Sequence, residues 1–334
     1  MTASSLSVGI AGAGSIGCFV GGCLAHGGHR VALLARPHIC DAITAHGLRL
    51  TSYEGIDERI PADRLALSSD PAILHQANVV LVTVKSGDTA ATADLIATHA
   101  RPDAIVVSLQ NGADNLALLR DRLPGHTVLG GMVPFNVQAQ DEGHYHRATS
   151  GEIVLEDDPS ALAARLSAPL LNMLTTRDIA GVQWGKLIIN LNNALNALSG
   201  IPLREQLASR AWRRLLADQM AEALKVMKAA RIRIVPMTQL PPAVTPYLLR
   251  LPDGPFHLLL GRILQIDPTA RSSMWDDLAR RRRTEVDQLQ GVIVRLARDH
   301  GLRAPLSERV VTLIHAAEAE GTGSPGLTPL EIRA

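Results

Sequence analysis

At 334 residues the chain is too long for one average core, so two domains of roughly 150 residues each are expected. Hydrophobic residues make up 46% and charged residues 19%, and 33 Lys and Arg balance 32 Asp and Glu to a net charge of +1. That balance indicates neither a nucleic acid nor an anionic membrane as partner, and an aromatic content of 3% argues against surfaces that stack bases or sugars. The cysteines Cys18, Cys23 and Cys40 match neither a CxxC pair nor a disulfide framework. Met1 to Ser7 has no basic leader character, and no apolar run nears the ~18–20 residues of a membrane span. A soluble, cytoplasmic protein is expected.

The predicted elements begin with a strand at Leu6 to Ala11, a helix at Ser15 to Gly27 and a strand at Arg30 to Ala35. Continuous apolar strands at Asn78 to Val84 and Ala104 to Leu109 flank a helix from about Gly87 to Ala100. Unbroken Val, Ile and Leu runs separated by helices predict an α/β fold with a doubly wound parallel sheet covered on both faces. Residues 127–156 read as further strands, joined by the polar turn Gln140 to Gly143. Near residue 180 the character changes. Gln183 to Leu198, Arg204 to Ala230 and Arg271 to His300 all read as long helices, and residues 234–270, rich in proline and leucine, hold short helical pieces at best. The expected division is a dinucleotide-binding domain over 1–180, a helical domain over 181–320 and a tail over 321–334, whose GTGSPG segment is flexible.

Gly12-Ala13-Gly14-Ser15-Ile16-Gly17 is a GxGxxG motif between the first strand and the first helix. Gly12 permits the tight turn, Gly14 lets a pyrophosphate approach the backbone, and Gly17 allows close helix–strand packing, with the helix N-terminus facing the phosphates. A glycine-rich turn with only a packing role is the competing reading, which the strand–loop–helix order disfavours. The second strand runs into Arg36, where an NAD enzyme would carry an acid for the ribose 2′-hydroxyl. Arginine suits a 2′-phosphate, so NADP(H) is the expected cofactor; a solvated arginine is the alternative. Two further strands run into Lys85 and into Gln110-Asn111-Gly112, at the carboxyl ends where doubly wound sheets bind ligands. Alone, either is as readily a solvated lysine or a common Asn-Gly turn.

On the helix after residue 183, Lys186, Asn190 and Asn193 fall within about 60° of one another, at 100° per residue. Leu187, Ile188, Leu191 and Leu195 surround this stripe, so its polar groups need partners, from a ligand or from neighbouring helices. Further on, on the helix read after Ser272, Met274, Leu278, Leu289, Val292 and Leu296 form an apolar stripe, with Glu285 in its middle by helical phase. A carboxylate there is either neutralised by an arginine of Arg280 to Arg283 or placed for chemistry. Ser273 and Asp277 lie one turn apart. His144 and His146 have an HxH spacing without accompanying Cys or carboxylates, so no metal site is expected. HExxH, GxSxG and P-loop lysine motifs are absent.

Taken in order, Gly12 to Gly17, Val84-Lys85, Gln110 to Gly112, Trp184-x-Lys186-Leu187-x-x-Asn190, and Ser272-Ser273-Met274…Arg283-Thr284-Glu285-x-Asp287 resemble the ketopantoate reductase family over nearly the whole chain. The resemblance implies an N-terminal Rossmann domain and a C-terminal all-helical domain of the 6-phosphogluconate dehydrogenase type, with the active site in the cleft between them. It implies NADPH-dependent reduction of 2-dehydropantoate (ketopantoate) to (R)-pantoate, a step of pantothenate biosynthesis. Lys186 then matches the general acid that protonates the carbonyl oxygen, and Glu285 the acid that orders the site and touches the cofactor. Asn111, Asn190 and Ser273 match substrate-contacting positions, joined here by Asn193; Asn111 also borders the cofactor, and Lys85 is a cofactor contact. Where many members carry a second asparagine four residues after the first, this chain has Ala194, with Asn193 one position earlier. That departure, with the long 234–270 stretch, keeps a different 2-keto acid open as substrate. A non-catalytic NADP(H)-binding sensor is the reading from another class. The apolar helical domain is compatible with a homodimer.

Overall fold

The computed structural model describes residues 5–237, 240–260 and 268–334. Part of the 234–270 stretch, at 238–239 and 261–267, lies outside the described residues. The chain divides into two compact units, Met1–Ile179 and Ala180–Ala334.

Among the described residues the first unit has twelve strands: β1 Ser7–Ala11, β2 Arg30–Leu34, β3 Leu48–Ser52, β4 Asp57–Ile60, β5 Leu65–Ser68, β6 Val79–Val82, β7 Ile105–Ser108, β8 Thr127–Met132, β9 Val137–Ala139, β10 His144–Arg147, β11 Ile153–Glu156 and β12 Met173–Thr176. Its α-helices are α1 Ser15–His26, α2 Pro37–His46, α3 Thr89–His99, α4 Asn115–Arg122 and α5 Leu162–Leu166. An eight-stranded sheet runs in the order β12-β11-β8-β7-β6-β1-β2-β5. The six strands from β8 to β5 pair in parallel, and β11 joins β8 antiparallel. From β1 the chain winds outward through β2 to β5, then crosses to β6 on the other side of β1 and winds through β7 to β8. With right-handed crossovers, that reversal puts helices on both faces and opens a switch point beyond the carboxyl ends of β1 and β6. This is the doubly wound Rossmann sheet.

A second sheet has the order β4-β3-β10-β9; the strands β9 and β10, either side of the turn Gln140 to Gly143, match the sequence reading, whereas β3, β4 and their assembly into a separate sheet were not foreseen. Its strands are short and polar on one face, so they lack the continuous apolar runs that mark the main sheet. Thr51 in β3 binds His144 and His146 in β10, with Oγ1 2.7 Å from His144 Nε2 and 2.8 Å from His146 Nδ1. The HxH pair thus serves a strand pairing, and no cluster of metal-binding side chains occurs among the described residues.

The second unit is helical: α6 Ile179–Ser199, α7 Leu203–Ala208, α8 Arg210–Ala229, α9 Thr245–Leu249, α10 Asp253–Leu260, α11 Ser273–Ala279, α12 Val286–Asp299, α13 Pro305–Glu320 and α14 Pro329–Arg333. Leu191 and Leu195 of α6, Leu215 and Met227 of α8, Ile293 of α12 and Ile314 of α13 are fully buried in its core. No helix among the described residues is long and apolar enough to cross a membrane.

Three expectations change here. The helix read over 204–230 breaks at Ser209, whose backbone is extended. The fully buried Arg213 donates to the carbonyls of Leu207 and Ala208, satisfying groups that the end of α7 frees. The helix read over 271–300 breaks more completely. Arg282 N–H donates to Asp277 O and Arg281 N–H to Leu278 O, a Schellman closure with Arg281 in the left-handed slot at φ 53°. Helical phase is lost across 280–285, so Glu285 is not in the middle of an apolar stripe; it is the N-cap residue of α12. Lastly, the end of the chain packs down. Leu327 N–H donates to Leu198 O, Ile332 is fully buried, and Arg333 pairs with Asp218.

Candidate active site

In the first unit, the loop Gly12–Gly14 follows β1. Gly12 takes φ +96°, and a Cβ there would lie 2.3 Å from Val84 Cγ1. A Cβ on Gly17 would meet Thr83 Oγ1 at 2.6 Å and Gly12 O at 2.8 Å, so α1 packs as closely as a glycine permits. Gly14 differs: a Cβ there would meet nothing within 4 Å, so this backbone faces open space. No side chain caps α1, which leaves its first N–H groups, at Ser15 and Ile16, to a ligand or solvent. An open loop backed by an uncapped helix start fits a diphosphate.

Neighbouring strand ends fix the loop. Ala13 N–H donates to Leu34 O, and the Thr83 hydroxyl donates to Gly12 O at 2.7 Å. Thr83 was missed in the sequence, because a threonine ending an apolar strand carries no distinctive signal. Arg36 lies just past β2, exposed, and its side chain pairs with no described carboxylate, which fits a 2′-phosphate.

Lys85 and Asn111 lie past β6 and β7, both partly buried. Beneath them runs a buried polar network. Gln110 Nε2 donates to Val84 O and to Thr89 Oγ1; the Thr89 hydroxyl donates to Asn115 Oδ1; and Asn115 Nδ2 donates to Ser86 Oγ and Asn111 O. Gln110 and Asn115 thus lock the two loops that present Lys85 and Asn111. Asn115 was not singled out, since an asparagine at a helix start reads as an ordinary capping residue.

In the second unit, the asparagines of α6 separate into two sets. Asn192 and Asn196 are buried and donate to Gln206 Oε1, and Asn196 Oδ1 accepts from Ser272 N–H. These hold helices together. Lys186, Asn190 and Asn193 are partly buried on another face, and neither the Asn190 nor the Asn193 amide bonds to another described residue. The Ser272 hydroxyl donates to Asn193 O at 2.9 Å, docking the start of α11 on this face and bringing the exposed Ser273 beside Asn193. Ala194, one turn after Asn190, is fully buried, so its methyl offers this face no polar group.

Part of Lys186 remains accessible, yet its ammonium is poorly hydrated. Burial pulls it from the ordinary lysine value down to about 8, and the Glu285 carboxylate opposes the shift. The break before α12 thus places Glu285 within electrostatic reach of Lys186. A dehydrated ammonium beside open amides and a hydroxyl can polarise a carbonyl and deliver a proton to it.

A Rossmann unit with a phosphate loop, joined to a helical unit carrying such a lysine, places the chain among dinucleotide-dependent oxidoreductases. The family described as ketopantoate reductase PanE/ApbA matches residues 8–160, and its C-terminal domain matches residues 178–318. The chain belongs to this family. A 2-dehydropantoate 2-reductase from Halobacterium salinarum is 27% identical over 93% of this chain and 99% of its own length. Among solved structures, a PanE/ApbA family ketopantoate reductase from Ralstonia eutropha JMP134 is 31% identical, with a TM-score of 0.80 over 95% of this chain and 99% of that one. A D-mandelate dehydrogenase, solved with NADH and anilino(oxo)acetate, shares the fold at 20% identity and a TM-score of 0.75, over 95% of this chain and 99% of that one.

Proposed function

We propose that this protein is an NADPH-dependent 2-dehydropantoate 2-reductase, forming (R)-pantoate. The observation that carries the reading is the dehydrated Lys186 ammonium, under the influence of Glu285, on one helix face with Asn190 and Asn193. Both family domains match the chain that bears it.

Gly12 to Gly17 and the N-terminus of α1 hold the diphosphate, Arg36 the 2′-phosphate, and Lys85 and Asn111 border the nicotinamide side. When bound, NADPH supplies the hydride that reduces C2 of the keto acid. Asn111, Asn190, Asn193 and Ser273 orient the substrate's carboxylate and hydroxyl by hydrogen bonds. The Lys186 Nζ donates to the C2 carbonyl oxygen, stabilises the charge that grows there and gives up its proton to it. Glu285 favours the protonated amine before that transfer. A ketopantoate reductase of this fold from Staphylococcus aureus is described as dimeric, and we extend a homodimer to this chain. Three unpaired cysteines agree with a cytoplasmic setting.

The test follows 340 nm absorbance with NADPH and a panel of 2-keto acids. Turnover strongest with ketopantoate, and lowered roughly 10²- to 10⁴-fold in Lys186→Ala with NADPH affinity kept, supports the assignment. Preference for another 2-keto acid would transfer the same chemistry to that substrate, the reading favoured by Ala194 standing where a second asparagine would be. NADPH binding without any turnover would leave a sensor.

A further inference from the structure

Two glycines lie inside α6, Gly181 and Gly185, one turn apart on one face. Glycine is a poor residue inside a helix compared with alanine, so the place of Gly185 needs a reason. The chain leaving α8 supplies it. Val235 N–H donates to Gly181 O at 2.9 Å. A Cβ on Gly185 would lie 2.1 Å from Val235 O, 3.3 Å from Val235 C and 3.4 Å from Met237 Cγ. A backbone oxygen at 2.1 Å has no flexible end to swing aside, so only glycine lets this segment lie where it does.

Gly185 immediately precedes Lys186. One turn further along the glycine face is Ile189, 46% exposed, and next to it Asn190. Val235 and Met237 thus lie at the level of Gly185, one turn before the exposed Ile189. Met237, partly buried at that level, and Ile189 are apolar groups flanking a stripe that is otherwise polar. A keto acid whose carboxylate and carbonyl engage the amides and Lys186 has its carbon chain left to place, and apolar surface is what receives it.

We infer that Gly185 is a positioning residue that seats Val235–Met237 against α6, so that Met237 and Ile189 form the apolar wall that reads the side chain of the 2-keto acid. This rests on the function proposed above. Met237 and Ile189 set which keto acid fits; Lys186 sets whether any is reduced.

The test compares kcat/KM for ketopantoate and for phenylglyoxylate, whose flat ring reaches further from the carbonyl, in wild type, Met237→Ala and Gly185→Ala, with NADPH affinity measured by fluorescence. Shortening Met237 enlarges the wall and moves the phenylglyoxylate-to-ketopantoate ratio upward roughly tenfold. Gly185→Ala displaces Val235 and raises KM for ketopantoate roughly tenfold, with kcat within about threefold, since the proton donor is untouched. NADPH affinity stays unchanged in both. Should Gly185→Ala fail to fold, Met237→Ala decides alone, because its partly exposed side chain tolerates truncation. A ratio unmoved in Met237→Ala, or both keto acids losing kcat together, overturns the inference while the function stands. A wild type that turns over no keto acid overturns the function, and this wall with it.

Discussion

Lys186 sets the fold against the chemistry. With its ammonium drawn down to about 8, roughly 90% remains protonated at pH 7 and the acid is stronger than free lysine. Reduction needs that proton, so kcat/KM for the keto acid should fall as pH rises through about 8, while oxidation of the hydroxy acid rises over the same interval. A profile flat from pH 7 to 10 would remove Lys186 from the proton transfer. The same shift works against folding: below about pH 8 the charged amine is buried without full hydration. Above that, the folded chain releases a proton that the unfolded chain keeps up to the ordinary lysine range, and stability rises. Lys186→Met should therefore raise Tm at pH 7, measured by calorimetry, while the assay shows turnover lowered as in Lys186→Ala. At the other end of the ligand, Arg36→Ala should weaken NADPH but not NADH, by roughly 10- to 100-fold, in parallel titrations.

The turn between α11 and α12 shows what the sequence conceals at the scale of an element. An apolar stripe recurring on both sides of 280–285 reads as one helix, because Leu278 and Leu289 are spaced as if phase continued. The break depends on Arg281 adopting a left-handed backbone, which glycine usually signals and arginine does not. The signals of the restart went unread: Thr284 receives Val286 N–H, and Asp287 lies in the first turn of α12. Glu285 was thus singled out for a position it does not hold. Arg281→Gly should stabilise the protein by about 1 kcal/mol in denaturant unfolding; a loss would mean its guanidinium contributes more than its backbone costs. The centre of the Rossmann sheet, β1, α1, β2, β6, α3 and β7, was legible to within about two residues, since continuous apolar strands and a glycine loop admit few other arrangements; the short edge strands β5 and β12 and the helices α2 and α4 were not read. On α6 the polar face could be located by phase, but its division could not. Only Gln206, from another helix, shows that Asn192 and Asn196 hold the fold while Asn190 and Asn193 stay open.

Across the whole molecule, each unit carries its own core. In the helical unit, Arg213 is the largest fully buried side chain, donating to four carbonyls and to Asp253 with its guanidinium 3.9 Å from the centre of the Phe256 ring. One group thereby fastens α7, α9 and α10 to α8. Arg213→Met leaves those carbonyls unpaired and should cost roughly 3–5 kcal/mol in urea unfolding; a loss under 1 kcal/mol would mean that water replaces it. In the first unit, burial pushes the Cys18 and Cys23 thiols up to about 12. A thiol reagent should reach the half-buried Cys40 first and the other two only on unfolding, so their labelling rate reads the opening of this unit.

The pairing of β3 with β10 has a consequence for the order in which the chain assembles. Thr51 and His144, which meet across it, are 93 residues apart in sequence. During synthesis the β3–β4 hairpin emerges long before its partner, and until β10 arrives one edge of β3 has open hydrogen-bonding groups. Closing so distant a contact is slow, and an exposed strand edge invites other chains in the meantime. The small sheet is therefore where a nascent or refolding chain is most open to aggregation, and its completion must wait for residue 147.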